Sequence, residues 1–141
     1  MKISRVSMAL NSLIIDPTKK TPMIKLEYGR ILITGRSISE NPGEFYRPVH
    51  EWIINYTSES PGMTYIQLAF EFINTTSIKW VYAILKELNR IPDLQQHAKI
   101  SWYYETGDED MLDLGLILRS LVSCPFQIVE VEDIDKQDYD S

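Results

Sequence analysis

The chain has 141 residues, and its 14 lysines and arginines against 20 aspartates and glutamates give a formal net charge of −6. This length fits a single domain. Hydrophobic residues make up 44% and charged residues 24%, an ordinary globular composition that excludes disordered, collagen-like and coiled-coil chains. A protein that binds nucleic acid regardless of sequence needs lysines and arginines to neutralise phosphates. The acidic balance therefore predicts no nucleic-acid partner.

The negative charge is concentrated at the C-terminus. Residues 130–141 contain six carboxylates and one lysine, a charge of −5, so residues 1–129 carry only −1. We divide the chain into an N-terminal extension (1–20), a domain (21–131) and an acidic tail (132–141). We expect the tail to be a solvated end that folding does not require.

The cellular location is predicted from the single cysteine and the apolar runs. Cys124 has no cysteine partner in the chain, which is compatible with a reducing cytoplasm. The apolar runs are far shorter than the ~20 residues that span a bilayer, and the N-terminal segment lacks a clear cleavage site for a signal peptide. We expect a cytoplasmic protein with no membrane partner.

The first predicted elements are two strands. Residues 23–28 alternate apolar and polar side chains, and residues 31–34 are rich in β-branched ones. The link Gly29-Arg30 between them favours an antiparallel hairpin. Gly35 is expected to end the second strand.

A helix is predicted next. Residues 41–44 have the composition of a capping box, with Asn41 as N-cap, a proline at the first helical position and a glutamate at N3. Because Pro48 lacks the N–H that a helix interior requires, we expect only a short helical turn first and the main helix to begin near Pro48. Its predicted buried face consists of Val49, Trp52, Ile53 and Tyr56.

The second half of the chain alternates strands and helices. Residues 63–73 give the strongest strand signal, with one face formed by Ile66, Leu68, Phe70 and Phe72. Helical spacing follows over residues 78–88, with a core stripe of Val81, Ile84, Leu85 and Leu88. A strand over residues 99–104, a helix over 108–122 and a strand over 126–131 complete the pattern.

The predicted order is therefore β-β-α-β-α-β-α-β. Strands that are separated by helices pair in parallel through right-handed crossovers. The expected fold class is α/β: a single domain with a mixed β-sheet, an N-terminal antiparallel hairpin followed by parallel β-α units, packed with helices.

Few residues in the sequence are arranged for catalysis. His50 and His97 lie in different elements without a second ligand at zinc spacing, and Cys124, beside an apolar strand, is expected to be a buried inert thiol. The acids Asp108-Glu109-Asp110 with Asp113 favour a helix N-terminus, although a small metal-dependent enzyme using the acids at 108–113 remains an alternative. We expect no cofactor, no metal and no catalytic residues.

The remaining feature is Asn74-Thr75-Thr76-Ser77, which lies at the carboxyl end of a strand and the amino end of a helix. A helix N-cap needs one such residue, and here there are four in a row. Free N–H groups and the helix dipole also stabilise a phosphate at this position, and Lys79 lies one turn further on. On spacing alone, a plain cap and a phospho-acceptor both remain open.

Four stretches together resemble the SiaC family of bacterial regulatory phosphoproteins. They run in order over roughly residues 21–131, and the second corresponds to the family's Asn-Thr-Ser-Ser-x-Lys motif. The four are residues 35–42 with Phe45, Tyr46, Pro48 and Trp52; residues 74–79; residues 102–104 with 108–111; and Pro125-Phe126. The element order also resembles STAS domains of anti-sigma-factor antagonists, which is a fold-level resemblance only.

The resemblance implies a non-enzymatic signalling switch. Family members are phosphorylated on the threonine of the Asn-Thr motif by a partner kinase of the SiaB type and dephosphorylated by a PP2C-type phosphatase. The unphosphorylated form binds and activates an effector, a diguanylate cyclase, which raises cyclic di-GMP and favours biofilm formation or aggregation. A scaffold protein without any modification, in which the hydroxyl cluster is only a cap, is the other non-enzymatic alternative.

The resemblance also implies roles for individual residues. The phospho-acceptor corresponds to Thr75, with Thr76 as second choice because Thr76 replaces the first serine of the motif. Asn74, Ser77 and Lys79 form the surroundings of the phosphate at the helix N-terminus. Three further signature residues on a loop are candidates for partner contact: Arg36, Glu40 and Asn41.

Overall fold

The computed structural model describes residues 10–140. Its strands are β1 (Leu13–Ile15), β2 (Met23–Glu27), β3 (Arg30–Ser37), β4 (Thr64–Ile73), β5 (Ala98–Glu105) and β6 (Phe126–Val131). Its α-helices are α1 (Pro42–Ser58), α2 (Thr75–Glu87), α3 (Leu94–His97) and α4 (Glu109–Leu121), and short 3-10 turns cover Leu88–Arg90 and Ile134–Lys136.

The six strands form one sheet in which spatial order equals chain order. The pairs β1–β2 and β2–β3 are antiparallel, and β3–β4, β4–β5 and β5–β6 are parallel. The predicted α/β fold with an antiparallel hairpin and parallel β-α units is confirmed. The short strand β1 was not predicted and lies within the expected N-terminal extension, whose first nine residues lie outside the described part.

All the long helices cover the same face of the sheet. Strands that advance in one direction through right-handed crossovers place each connecting helix on one side. Accordingly, one core cluster joins buried residues of β2–β5 to residues of α1, α2 and α4. The predicted stripes of α1 and α2 are confirmed as buried: Val49, Trp52, Ile53 and Tyr56; Val81, Ile84, Leu85 and Leu88.

Helix α1 differs from its prediction because it runs without interruption through Pro48. Pro48 is exposed and lies in the second turn, so the missing hydrogen bond and the clash of its ring with the preceding turn cost about 3 kcal/mol. Burying a large apolar side chain contributes about 1.5–3 kcal/mol, and the helix buries Tyr46 before the proline and four more apolar side chains after it. The packed face therefore outweighs the break. The capping box was wrong: Asn41 is the N-cap residue and Pro42 follows it, but no side-chain cap bond forms.

A β-bulge changes which side chains β4 presents. Gly35 pairs with Phe70 and Arg36 with Phe72, so Glu71 is an extra residue in β4. One extra residue reverses the alternation of side chains. The prediction that Phe72 shares the face of Phe70 was therefore wrong: Phe72 is 55% exposed, while Ile73 packs against the core.

Gly35 lies inside β3 at this bulge and does not end the strand as expected. Its φ of +124° is in a region that side chains rarely adopt. Glycine at this position allows β3 to continue to Ser37, which brings its last residues alongside the end of β4.

The C-terminal tail packs across the helix-free face and is not the solvated end that its charge suggested. Ile134 is 1% exposed and joins Ala69 and Val131 in a second apolar cluster. The Tyr139 ring contacts Tyr103 edge to face, with centroids 5.0 Å apart. Both faces of the central strands are therefore covered toward their carboxyl ends.

Candidate functional site

The amino end of α2 is built around Asn74. Its backbone is extended and its Oδ1 accepts from the Ser77 N–H at 2.9 Å, which is an N-cap bond. Its Nδ2 donates to the Ser39 carbonyl, also at 2.9 Å, and its N–H donates to the Ser37 carbonyl at 2.9 Å. Asn74 thus connects the end of β4, the start of α2 and the loop after β3 in one hydrogen-bonded unit.

The hydroxyl groups after Asn74 differ in accessibility. Thr75 and Thr76, the first two helical residues, are exposed. Ser77 is fully buried, and its hydroxyl has no hydrogen-bond partner among residues 10–140. Lys79 is exposed one turn further along. Of the three adjacent hydroxyl residues of the motif, Thr75 and Thr76 are therefore accessible and Ser77 is buried.

The N–H groups at this helix end are only partly used. Asn74 satisfies the N–H of Ser77 through its side chain and that of Ile78 through its carbonyl, the latter at 3.0 Å. The first N–H groups of a helix have no acceptor within the helix. Those of Thr75 and Thr76 have no acceptor among residues 10–140 and can bind an anion at the positive end of the helix dipole.

The three predicted contact residues lie on the neighbouring strand end and loop. Arg36 is exposed, forms an ion pair with Glu71, and stands 5.6 Å from the ring centre of Phe72. The hydrogen bond that Arg36 Nε donates to the Glu71 carboxylate raises the pKa of the guanidinium. Glu40 and Asn41 are exposed at the start of α1. Because β3 and β4 are parallel, their carboxyl ends bring this loop beside Asn74 and the two threonines.

Beneath the exposed threonines, β3, α1 and α2 pack together through buried side chains. The Tyr46 hydroxyl hydrogen-bonds the Ser37 hydroxyl at 2.6 Å, and burial raises the pKa of this tyrosine. The Trp80 ring is stacked on Tyr46, with centroids 6.4 Å apart. A Cβ on Gly43 would meet Trp80 at 3.5 Å, an ordinary contact. The amino ends of α1 and α2 are thus held together rigidly.

Four of the residues weighed for catalysis, Asp108, His50, His97 and Cys124, have structural contacts or are buried. Asp108 caps α4 by accepting from the Met111 N–H at 3.1 Å. His50 stands edge-on to Trp80, and the His97 ring lies 3.0 Å from the Pro92 carbonyl. Cys124 is buried, which raises the pKa of its thiol to about 11. Within residues 10–140, no three histidine, cysteine or acidic side chains are grouped to hold a metal ion.

No helix between residues 10 and 140 combines the length and the apolar character that crossing a bilayer needs.

Comparison with known proteins identifies the class of molecule. Over 84% of this chain and 98% of its own length, the crystal structure of apo-SiaC from Pseudomonas aeruginosa superposes with a TM-score of 0.75 at 26% identity. The crystal structure of the diguanylate cyclase SiaD in complex with its activator SiaC, from the same organism, matches with a TM-score of 0.77 at 27% identity. That match covers 84% of this chain and 99% of the other. The fold is that of these SiaC structures.

The family follows from the sequence itself. The model of the SiaC family regulatory phosphoproteins matches residues 15–131, and the chain belongs to this family. An uncharacterized protein of Pseudomonas aeruginosa strain UCBPP-PA14 is 27% identical over 121 residues, which is 84% of this chain and 96% of that protein. The family expected from the four signature stretches is confirmed.

Proposed function

We propose that this protein is a non-enzymatic switch that activates a diguanylate cyclase in its unphosphorylated form. A partner kinase of the SiaB type phosphorylates Thr75, and a PP2C-type phosphatase reverses the modification. The observation that supports this most directly is the amino end of α2, where two exposed threonines follow the Asn74 cap within the family motif. The crystal structure of the diguanylate cyclase SiaD in complex with its activator SiaC supports a diguanylate cyclase as the effector.

The helix end tolerates a phosphate well. A phosphothreonine carries about −1.5 to −2 charges, and at Thr75 these would face the free N–H groups and the positive end of the α2 dipole. Lys79 lies one turn away with an exposed side chain. We therefore expect phosphorylation to leave the folded domain nearly as stable as before.

A partner interface tolerates the same phosphate poorly. Once the partner covers the site, the added charge loses its hydration, which is costly without a cationic counterpart. Residues 1–129 carry a formal charge of only −1, so one phosphate also changes the electrostatics of the domain substantially. We place Arg36, Glu40 and Asn41 in this interface, because they lie beside Asn74 at the same sheet edge.

The acceptor is tested directly by phosphorylation with the kinase and ATP, read by mass spectrometry. We expect one phosphate on Thr75, lost in Thr75→Ala and retained in Thr76→Ala, which is the matched control at the next exposed position. A phosphate that persists in Thr75→Ala and disappears in Thr76→Ala would reassign the acceptor. A chain that takes up no phosphate would favour the unmodified scaffold.

The switch is tested by cyclase binding. We expect the phosphorylated protein to bind the cyclase at least about tenfold more weakly than the unmodified one, a difference of about 1.4 kcal/mol. The melting temperatures of the two forms should agree within about 2 °C, since 1 kcal/mol shifts a domain of this size by several degrees. Equal affinities of the two forms would contradict the switch.

A further inference from the structure

A cavity of about 440 Å³ opens on the helix-free face of the sheet. This volume falls within the range of small-molecule sites, roughly 300–1,000 Å³. The cavity lies near the amino ends of β3, β4 and β5, whereas the threonine site lies beyond the carboxyl ends of β3 and β4. It is therefore separate from the site of the proposed switch.

The strand register arranges the lining side chains in two rows. The first row consists of neighbours on β3, β4 and β5: Arg30, Tyr65 and Lys99. The second row lies two residues further along β4 and β5 and continues onto β6: Gln67, Ser101 and Gln127. Adjacent strands lie about 4.8 Å apart and rows about 6.6 Å apart. A cation thus flanks Tyr65 on each side, and a row of amides and a hydroxyl faces it.

The C-terminal tail forms the wall at one end of the cavity. A third row, Ala69, Tyr103 and Val129, packs against the tail, and Tyr103 also lines the cavity. The last described tail residues, Tyr139 and Asp140, line the cavity. The tail therefore fills the third row, and Tyr65 and Lys99 of the first row stay accessible.

Arg30 already binds anionic and carbonyl oxygens in this arrangement. Its Nε donates to Gln67 Oε1 at 3.0 Å and its Nη2 to the Tyr139 carbonyl at 3.1 Å, and its Nη1 pairs with Asp140. The arginine side chain is only 19% exposed, whereas that of Asp140 is 76% exposed. The guanidinium is thus held in place while its carboxylate partner can be exchanged for another anion.

Lys99 and Tyr65 provide the accessible contacts. Lys99 is exposed and forms no ion pair with the residues between 10 and 140. Tyr65 is 52% exposed, so its ring offers a stacking surface in water. Aromatic side chains stack readily on nucleobases, and arginine and lysine bind phosphate.

We propose that this cavity binds a small planar anion of the nucleoside monophosphate class. The base stacks on Tyr65, the phosphate lies between Arg30 and Lys99, and Gln127 Oε1 faces the edge of the base as an acceptor. The Gln67 amide accepts from Arg30 and donates to the Tyr139 carbonyl, so it positions Arg30 and the tail. The phosphate replaces the Asp140 carboxylate at Arg30.

The test is calorimetric titration of the full chain at low salt with AMP and with GMP. Adenosine, which lacks the phosphate, and ribose 5-phosphate, which lacks the base, are titrated alongside. We expect each nucleotide to bind at least about tenfold more tightly than either fragment, because stacking and phosphate contacts act together. No detectable heat with millimolar AMP and GMP would overturn the proposal.

Variants assign the contacts. Tyr65→Ala and Lys99→Met should each weaken nucleotide binding by about tenfold. Their matched controls, Phe72→Ala on the same strand and Lys86→Met on α2, should leave it unchanged, since both lie outside the cavity. Nucleotide binding that survives both Tyr65→Ala and Lys99→Met would place the ligand elsewhere and overturn the assignment.

The tail supplies a test with the opposite sign. Asp140→Asn removes the carboxylate that competes for Arg30, so nucleotide binding should tighten by a few-fold. Glu132→Gln makes the same charge change in the tail away from the cavity and should have little effect. Weaker nucleotide binding in Asp140→Asn would contradict competition between the tail and the ligand.

Discussion

Replacing Ile134 with alanine tests whether the acidic tail contributes to the fold. Ile134 is 1% exposed and packs against Ala69 and Val131 on the helix-free face. Truncating a buried isoleucine to alanine costs about 2–5 kcal/mol. This cluster is small and is covered only by the tail segment, which can relax around the lost side-chain atoms. We therefore expect the low end of that range, about 2 kcal/mol.

The measurement is urea unfolding followed by circular dichroism, with melting temperature as a second reading. A loss of about 2 kcal/mol lowers the melting temperature of a domain of this size by roughly 6–10 °C. Ile117→Ala is the matched control, because Ile117 on α4 is 57% exposed and its truncation should change stability by less than about 0.5 kcal/mol. Equal unfolding midpoints for Ile134→Ala and the wild type would mean that the tail is dispensable, as its charge alone suggests.

Three further experiments test the packing and the chemistry of the core. Gly115→Ala ordinarily stabilises a helix by about 1 kcal/mol, but here the new Cβ would lie 2.4 Å from the buried ring of Trp102, so calorimetric melting should show a net loss of about 1–3 kcal/mol. Tyr46→Phe removes the partner of the buried Ser37 hydroxyl and should cost about 1–3 kcal/mol in urea unfolding; adding Ser37→Ala should recover part of it. Cys124 has a pKa of about 11 in the folded state, whereas an unfolded cysteine has a pKa of about 8.5. Because the thiolate is the reactive form, iodoacetamide at pH 8 should modify the native thiol about 100-fold more slowly than the unfolded one. Equal rates would contradict the burial of Cys124.

The same thiol implies a pH dependence of stability. Its folded-state pKa is raised by burial to about 11, so the folded state holds the proton more tightly than the unfolded chain. The contribution of this thiol to the free energy of unfolding is fully present below the unfolded pKa of about 8.5. It is lost as the pH rises through the folded pKa of about 11. In Cys124→Ala this part of the alkaline decline should be absent from unfolding curves measured between pH 8 and 11.

The position of Asn74, Thr75 and Thr76 at the amino end of α2 was predictable because its signals are local in the chain. The Asn74 cap and the two threonines follow a strand pattern and precede a helix pattern, and the structure places them at that junction. Ser77 was grouped with them because composition does not show which side of a helix faces inward. Its burial is decided by the third helical position, which turns its side chain toward the core.

The cavity next to Arg30 was not predictable in the same way. Arg30 was considered only as part of a hairpin turn, and Lys99 and Gln127 lie in separate predicted strands. They meet because the parallel register aligns the amino ends of β3, β4 and β5. Alternating polar residues in three strands were the available signal, since they mark one face of the sheet as polar.

The sequence by itself determined the order of the major elements, the buried stripes of α1 and α2, and the family. Each of these follows from short-range periodicity or from motifs within a few residues, which act before distant parts of the chain meet. The continuity of α1 through Pro48, the reversal of Phe72 by the bulge, and the docking of the tail were decided by tertiary structure. For α1 and the tail, burial of apolar surface across distant segments outweighed a local preference or a net charge. At Phe72, the extra residue of the bulge reversed the alternation of side chains.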